Sequence, residues 1–261
     1  MKARFAFGLA VFFVSAHANA APSGRDILVK QEAARKIPSF TAKATLSTGD
    51  VGGAMRTKSF TWWRKLGSDG VHFAALTRFE APATIRNEGL LLRERNGGDN
   101  DVLLYLPSFK KIRRVEPQSQ STSFMGSVFS YADVALPHAD DFSAKVLREE
   151  KCGDASCFVL EITPVSEKVR VTTGYGRSVE WVRADVFVTV KSELYDKHDK
   201  LWKKLEATDV REVDKQKWLA HEVKMEDVRD KRVTVLKLSG VKANVDIPDT
   251  VFTEQNLSTE N

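Results

Sequence analysis

From residue 39 onward the chain alternates apolar and polar side chains with a period of two, in thirteen short runs broken by Gly, Asp, Asn and Lys. Residues two apart share one face of an extended strand, so this alternation specifies sheet rather than helix. The runs cover residues 39–47, 55–64, 71–80, 89–95, 102–106, 111–116, 143–150, 157–164, 179–184, 186–196, 201–213, 217–229 and 231–238. Polar segments 195–201, 209–217 and 227–232 read as connections between antiparallel neighbours, so the later runs form a meander. One helix precedes them: within residues 24–37, Ile27, Leu28, Ala34 and Ile37 fall near one face, and Pro38 forbids further propagation. A single early helix excludes alternating β-α-β architecture and leaves two packed sheets or one strongly curled sheet. Residues 117–141 break the rhythm with Gln, Ser and Thr, then Phe124-Met125-Gly126, Phe129, Tyr131 and Pro137. Such a segment is a long functional loop or a set of short helices that plug something.

The first twenty residues have the three parts of a cleavable secretory signal: Lys2 and Arg4, an apolar run over residues 5–14, and Ala18-Asn19-Ala20. A helix of that run reaches only ~15 Å, about half a bilayer's hydrocarbon core. No cysteine stands near the cleavage site to carry acyl chains, so the expected product is a soluble extracytoplasmic protein that is not lipid-anchored. The remaining residues, 21–261, show no linker or fixed-period repeat and are expected to form one domain. Losing Lys2 and Arg4 takes the formal net charge from +5 to +3, too mild to argue for nucleic acid but suited to an anionic partner. In an oxidising compartment the only cysteines, Cys152 and Cys157, are expected to staple a hairpin loop, since four intervening residues do not make a redox pair.

No coherent catalytic set emerges. His72, His138, His198 and His221 are scattered without metal-ligand spacing, and no nucleophile elbow, phosphate loop or dinucleotide fingerprint is present. The histidines read as surface or packing residues, and neither enzymatic activity nor a cofactor is expected. Residues 102–109 are apolar on both faces, as if the sheet were covered on one side and enclosed something on the other. They run into Lys110, Lys111, Arg113 and Arg114, a patch suited to anionic lipid head groups or an acidic protein face, or equally a charged strand edge that discourages aggregation. Trp62 and Trp63 must point to opposite faces of their strand. Trp181, Trp202 and Trp218 are expected in the core of the meander.

Tyr105-Leu-Pro-Ser-Phe-Lys-Lys-Ile-Arg-Arg114, followed by Ser123-Phe-Met-Gly-Ser-Val-Phe-Ser-Tyr-Ala-Asp133, closely resembles the paired signatures of the periplasmic outer membrane lipoprotein-sorting, or LolA-like, family. Cys157-Phe-Val-Leu-Glu161, Glu193-Leu-Tyr-Asp196 and Pro248-Asp249 with Phe252-Thr253 continue the likeness. The resemblance implies a mostly β protein: one antiparallel sheet curled into an incomplete barrel, with an N-terminal helix and a helical or loop lid over its concave apolar face. It implies a monomeric periplasmic carrier for a lipid or acylated lipoprotein, moving cargo towards the outer membrane between an inner-membrane export pump and an outer-membrane acceptor. The alternative is an envelope sensor or pump accessory that binds a protein. On the carrier reading, cavity and lid are expected to draw on Phe60, Trp62, Phe73, Leu104, Leu106, Phe124, Met125, Phe129 and Tyr131. The chain departs from the family pattern at Val128 and Ala132, where acids are usual.

Overall fold

The computed structural model describes residues 21–95, 99–135 and 138–259; the expected signal segment and Pro137 lie outside them. Helix α1 spans Gly24–Arg35. Ser23 caps it: its side chain accepts from the Asp26 amide, while the Asp26 carboxylate accepts from the Ser23 amide. The buried stripe of α1 is Gly24, Ile27, Leu28, Gln31 and Ala34, each three or four residues from another member, as one helical face requires.

Thirteen strands follow: β1 (Ser39–Asp50), β2 (Met55–Leu66), β3 (Phe73–Ala81), β4 (Gly89–Arg93), β5 (Asp101–Leu106), β6 (Lys111–Arg114), β7 (Phe142–Cys152), β8 (Ala155–Pro164), β9 (Arg177–Arg183), β10 (Thr189–Tyr195), β11 (Leu201–Asp214), β12 (Lys217–Asp227) and β13 (Arg232–Ala243). Each coincides with one of the thirteen alternating runs. They form one antiparallel sheet in the order β6-β5-β4-β3-β2-β1-β13-β12-β11-β10-β9-β8-β7. The curled sheet does not close, because β6 and β7 are its free edges. This is the expected half barrel, and it excludes two packed sheets.

Two connections differ from the sequence reading. The expected link 209–217 shrinks to Lys215 and Gln216, because β11 continues through Asp209, which takes a left-handed φ of 53° inside the strand. Between β8 and β9 the chain makes a short helix α2 (Glu167–Thr173), capped by Ser166 and ended by left-handed Gly174, too short to leave a helical period.

The period-two pattern sorts side chains between the faces. Phe40, Ala42, Ala44 and Leu46 of β1, Phe60 and Trp62 of β2, and Leu90 and Leu92 of β4 point into the concavity. Trp63, Leu76, Leu91, Leu103 and Tyr105 point out, where Ile247, Phe252 and Leu257 of the C-terminal segment cover them. Arg78 ties that segment down, donating from Nη1 to the Leu257 carbonyl (2.8 Å) and from Nη2 to that of Asn256 (2.6 Å). Helix α1 packs Ile27 and Leu28 on Phe158, Leu160, Ile162 and Val182 at the opposite end of the concavity.

The Cys152–Cys157 disulfide closes the β7–β8 hairpin as expected, with the Cα atoms 5.9 Å apart. Replacing both cysteines by serine is predicted to lower the unfolding free energy by about 2 kcal/mol, the chain-entropy value for so short a loop. Urea denaturation without reductant checks this, and an unchanged midpoint contradicts it.

Candidate functional site

The connection from β6 to β7 must pass from one edge of the sheet to the other, and it does so across the concave face. Its centre is a tight hairpin in which the Phe124 amide donates to the Phe129 carbonyl (2.7 Å) and Ser123 bridges Ser130. Met125 and Gly126 both take left-handed φ values, 51° and 71°, at the turn. Three donors pin it. Lys58 of β2 donates to the Met125 carbonyl, Arg232 of β13 to that of Gly126 (3.0 Å), and the Val128 amide donates to Thr234 Oγ1 (2.9 Å). Val128 is buried in the core, so an acid there would be stripped of solvent.

A second anchor lies where the lid leaves the hairpin. Asp133 accepts from the Tyr175 hydroxyl (2.9 Å) and the Ser130 amide (2.7 Å), and it pairs with Lys203 Nζ on β11 at 3.3 Å. The side chains of Lys203 and Asp133 are only 4% and 11% exposed, so the ion pair offsets part of the cost of removing both charges from water. Burial, reinforced by the Asp133 carboxylate, holds the Tyr175 phenol well above its ordinary range, so it stays a donor.

This lid fills one half of the concavity with aromatic side chains: Phe124 packs on Phe79 (ring centroids 6.1 Å apart) and on Tyr131 (5.7 Å). The other half is a cavity of about 680 Å³ between the lid, α1 and strands β9–β13. Trp62, Phe129, Leu194, Leu205, Met225 and Leu238 give it an apolar wall. Gln31 and Arg35 of α1, with Ser178, Glu180 and Ser192 of β9 and β10, give it a polar stripe. Its volume falls in the ~300–1,000 Å³ range of sites that enclose small molecules.

Among the residues expected at the cavity, Trp62 and Phe129 line it. Phe60, Phe124 and Tyr131 are buried in the plugged half, with Met125 packed at its margin. Phe73 lies under the Arg64 guanidinium, 4.7 Å from ring centroid to Cζ, and Leu104 and Leu106 are half-buried on β5 without reaching the cavity. Trp218 lines the cavity, Trp181 packs on the convex side, and the half-buried Trp202 rests against Tyr175. The basic patch divides. Arg114 pairs with the buried Asp101 (2.7 Å), which Arg93 and Arg95 also engage, whereas Lys110, Lys111 and Arg113 are without ion pairs among the described residues.

Sequence reading missed a histidine cluster at the cavity's rim. His72, just before β3, and His138, at the foot of the lid, lie with ring centroids 5.9 Å apart. His138 Nε2 is 3.5 Å from Glu94 and Nδ1 3.8 Å from Glu32 of α1, whose carboxylate also accepts from the Ala139 amide. Asp141 lies close by. The Glu94 carboxylate, aided by Glu32 and Asp141 against the opposing effect of burial, raises the His138 pKa above its ordinary value. Among the described residues no cluster of three or more His, Cys, Asp or Glu side chains could hold a metal ion.

A profile of a family described only as an uncharacterized protein matches residues 73–259. A DUF1329 family protein from Desulfovibrio piger is similar over 90% of this chain and 97% of its own, with 29% identity and a TM-score of 0.84. A domain described as an outer membrane lipoprotein-sorting protein, from Vibrio parahaemolyticus, gives 0.83 at 23% identity over 90% and 98%. A LolA superfamily protein from Nitrosomonas europaea gives 0.69 at 24% over 90% and 100%. No curated protein matches the sequence. The resemblance read from residues 105–133 therefore holds at the level of the fold.

Asp133→Ala strands the Lys203 charge and is expected to cost about 3–5 kcal/mol, part of which the double variant with Lys203→Met recovers; urea denaturation with hydrogen exchange across the lid measures both. At the foot, the raised pKa means that protonated His138 favours the native state. Its contribution is fully present below about pH 6.5 and is lost as pH rises through the raised native value. Amides of residues 138–142, corrected for intrinsic exchange, should be better protected at pH 6 than at pH 8.5, and His138→Phe should abolish the difference.

Proposed function

We propose that this chain, which belongs to the uncharacterized-protein family whose profile matches residues 73–259, is an exported, non-enzymatic carrier that holds the acyl chain of a lipid or lipoprotein. The observation that carries this reading is the cavity: an apolar wall on a curled sheet, covered by a lid held through hydrogen bonds and one buried ion pair. Water against such a wall costs ~25 cal/mol per Å², and an acyl chain removes that cost without any nucleophile or metal. The description of the Vibrio parahaemolyticus relative as a lipoprotein-sorting protein domain supports the choice of cargo.

In this reading residues 1–20 direct export and are removed, and residues 21–261 act as one periplasmic domain that works as a monomer. Cargo passes from an inner-membrane donor, such as an export pump, to an acceptor at the outer membrane. Trp62 and Phe129 touch the chain, while Phe60, Phe124, Met125 and Tyr131 seat the lid. Lys110, Lys111 and Arg113 meet anionic head groups or an acidic face of the donor or acceptor. Arg114 is instead held by Asp101.

Ala207 of β11 is buried on the cavity wall, so Ala207→Trp puts an indole where cargo would lie. The expected outcome is at least ~10-fold weaker uptake of a fluorescent fatty acid, with thermal unfolding within a few degrees of wild type. Unchanged uptake by the folded variant contradicts the proposal.

A further inference from the structure

Gln31 is a polar residue in the apolar stripe of α1, one turn after Ile27, and it is 3% exposed. The residue is part of the cavity lining. Gln31 Nε2 donates to Thr189 Oγ1 at 2.8 Å, and the Thr189 hydroxyl donates to Glu180 Oε2 at 3.0 Å. Ser178 Oγ donates to the other Glu180 oxygen at 3.2 Å. This relay fixes the amide's orientation. The single hydroxyl proton of Thr189 is committed to Glu180, so towards Gln31 the hydroxyl can only accept, and the nitrogen end of the amide must face it. The oxygen end is left over: among the described residues, Gln31 Oε1 has no hydrogen-bond partner.

An acceptor buried without a donor costs about 1–3 kcal/mol, which a ligand's N–H or O–H would recover. A carboxylate head cannot do so, because an ionised carboxylate only accepts. Arg35, the cation of the stripe, is buried, which lowers its pKa, and the carboxylates of Glu180 and Glu32 act on it in the opposite sense. Against the apolar wall of Leu205, Met225 and Leu238, the stripe thus defines an amphipathic site with a donor-seeking pole.

We infer that the cavity selects an amphiphile whose head presents an uncharged hydrogen-bond donor at the root of its acyl chain, an amide N–H or a hydroxyl, over one that ends in a bare carboxylate. The inference rests on the carrier reading above and narrows it to a cargo class. Two sources share this chemistry: N-acylated peptides and hydroxyl-bearing acylglycerols.

The test is displacement of a fluorescent fatty acid from residues 21–261 at pH 8 by three probes of equal chain length: laurate, 1-lauroylglycerol and N-lauroylglycinamide. Wild type should bind at least one donor-bearing probe ~10-fold more tightly than laurate, and the tighter of the two identifies the source. Gln31→Met keeps the bulk and helix propensity of the side chain but removes the acceptor, and it should bring the probes within about threefold of laurate. Thr189→Val, which frees the amide to turn, should weaken the preference in a second background. Equal affinity of wild type for all three probes, or a preference that survives Gln31→Met, overturns this inference and leaves the carrier reading standing. Failure of all three probes and of the fluorescent fatty acid to bind wild type overturns both.

Discussion

The architecture depends on the pairing of β1 with β13. Every other neighbouring pair in the sheet is consecutive in sequence, so each forms through a short connection. The β1–β13 ladder, from Phe40 opposite Ala243 to Asp50 opposite Arg232, joins strands about 190 residues apart and fuses two meanders into one sheet. Once it is made, β6 and β7 stand at opposite edges, and the chain between them has no route but across a face. The lid is therefore a consequence of strand order, and Asp133, Val128 and the Met125–Gly126 turn decide how it is held there.

The lid divides the interior unequally. Over strands β1–β5 it inserts Phe124 and Tyr131 and leaves packed core. Over β9–β13 it contributes Phe129 and Ala132 to the wall of a cavity. On the carrier proposal, cargo is taken up and let go, so the cover has to be held by contacts that can be remade. Hydrogen bonds worth about 0.5–1.5 kcal/mol each meet that requirement, and so does a single buried ion pair. Glu32, Glu94 and His138 add a titratable contact where the lid meets α1 and the end of β4.

Much of the fold could be read from sequence because local rules govern it. Alternation located all thirteen strands, and the spacing of Cys152 and Cys157 located the staple. What escaped was long-range or ran against the usual sorting of polar and apolar residues. His72 and His138 meet although 66 positions separate them, which no spacing rule detects. Ser178 and Glu180 occupy the inward face of β9, where alternation would have assigned them to solvent. Phe60, Phe124 and Tyr131 were legible as apolar and inward, but whether an inward residue packs as core or lines a cavity depends on how the lid divides the concavity. One local signal was available for the polar stripe: Gln31 interrupts the apolar face of α1 between Leu28 and Ala34.

If the chain is a carrier, its cavity encloses an acyl chain in the cell. Native mass spectrometry of the protein released gently from the periplasm, followed by organic extraction and identification of the bound species, tests it most directly. The expected result is a one-to-one adduct that carries an acyl chain and is lost when Ala207 is replaced by tryptophan. A protein released at its bare polypeptide mass, with no extractable lipid, would contradict it.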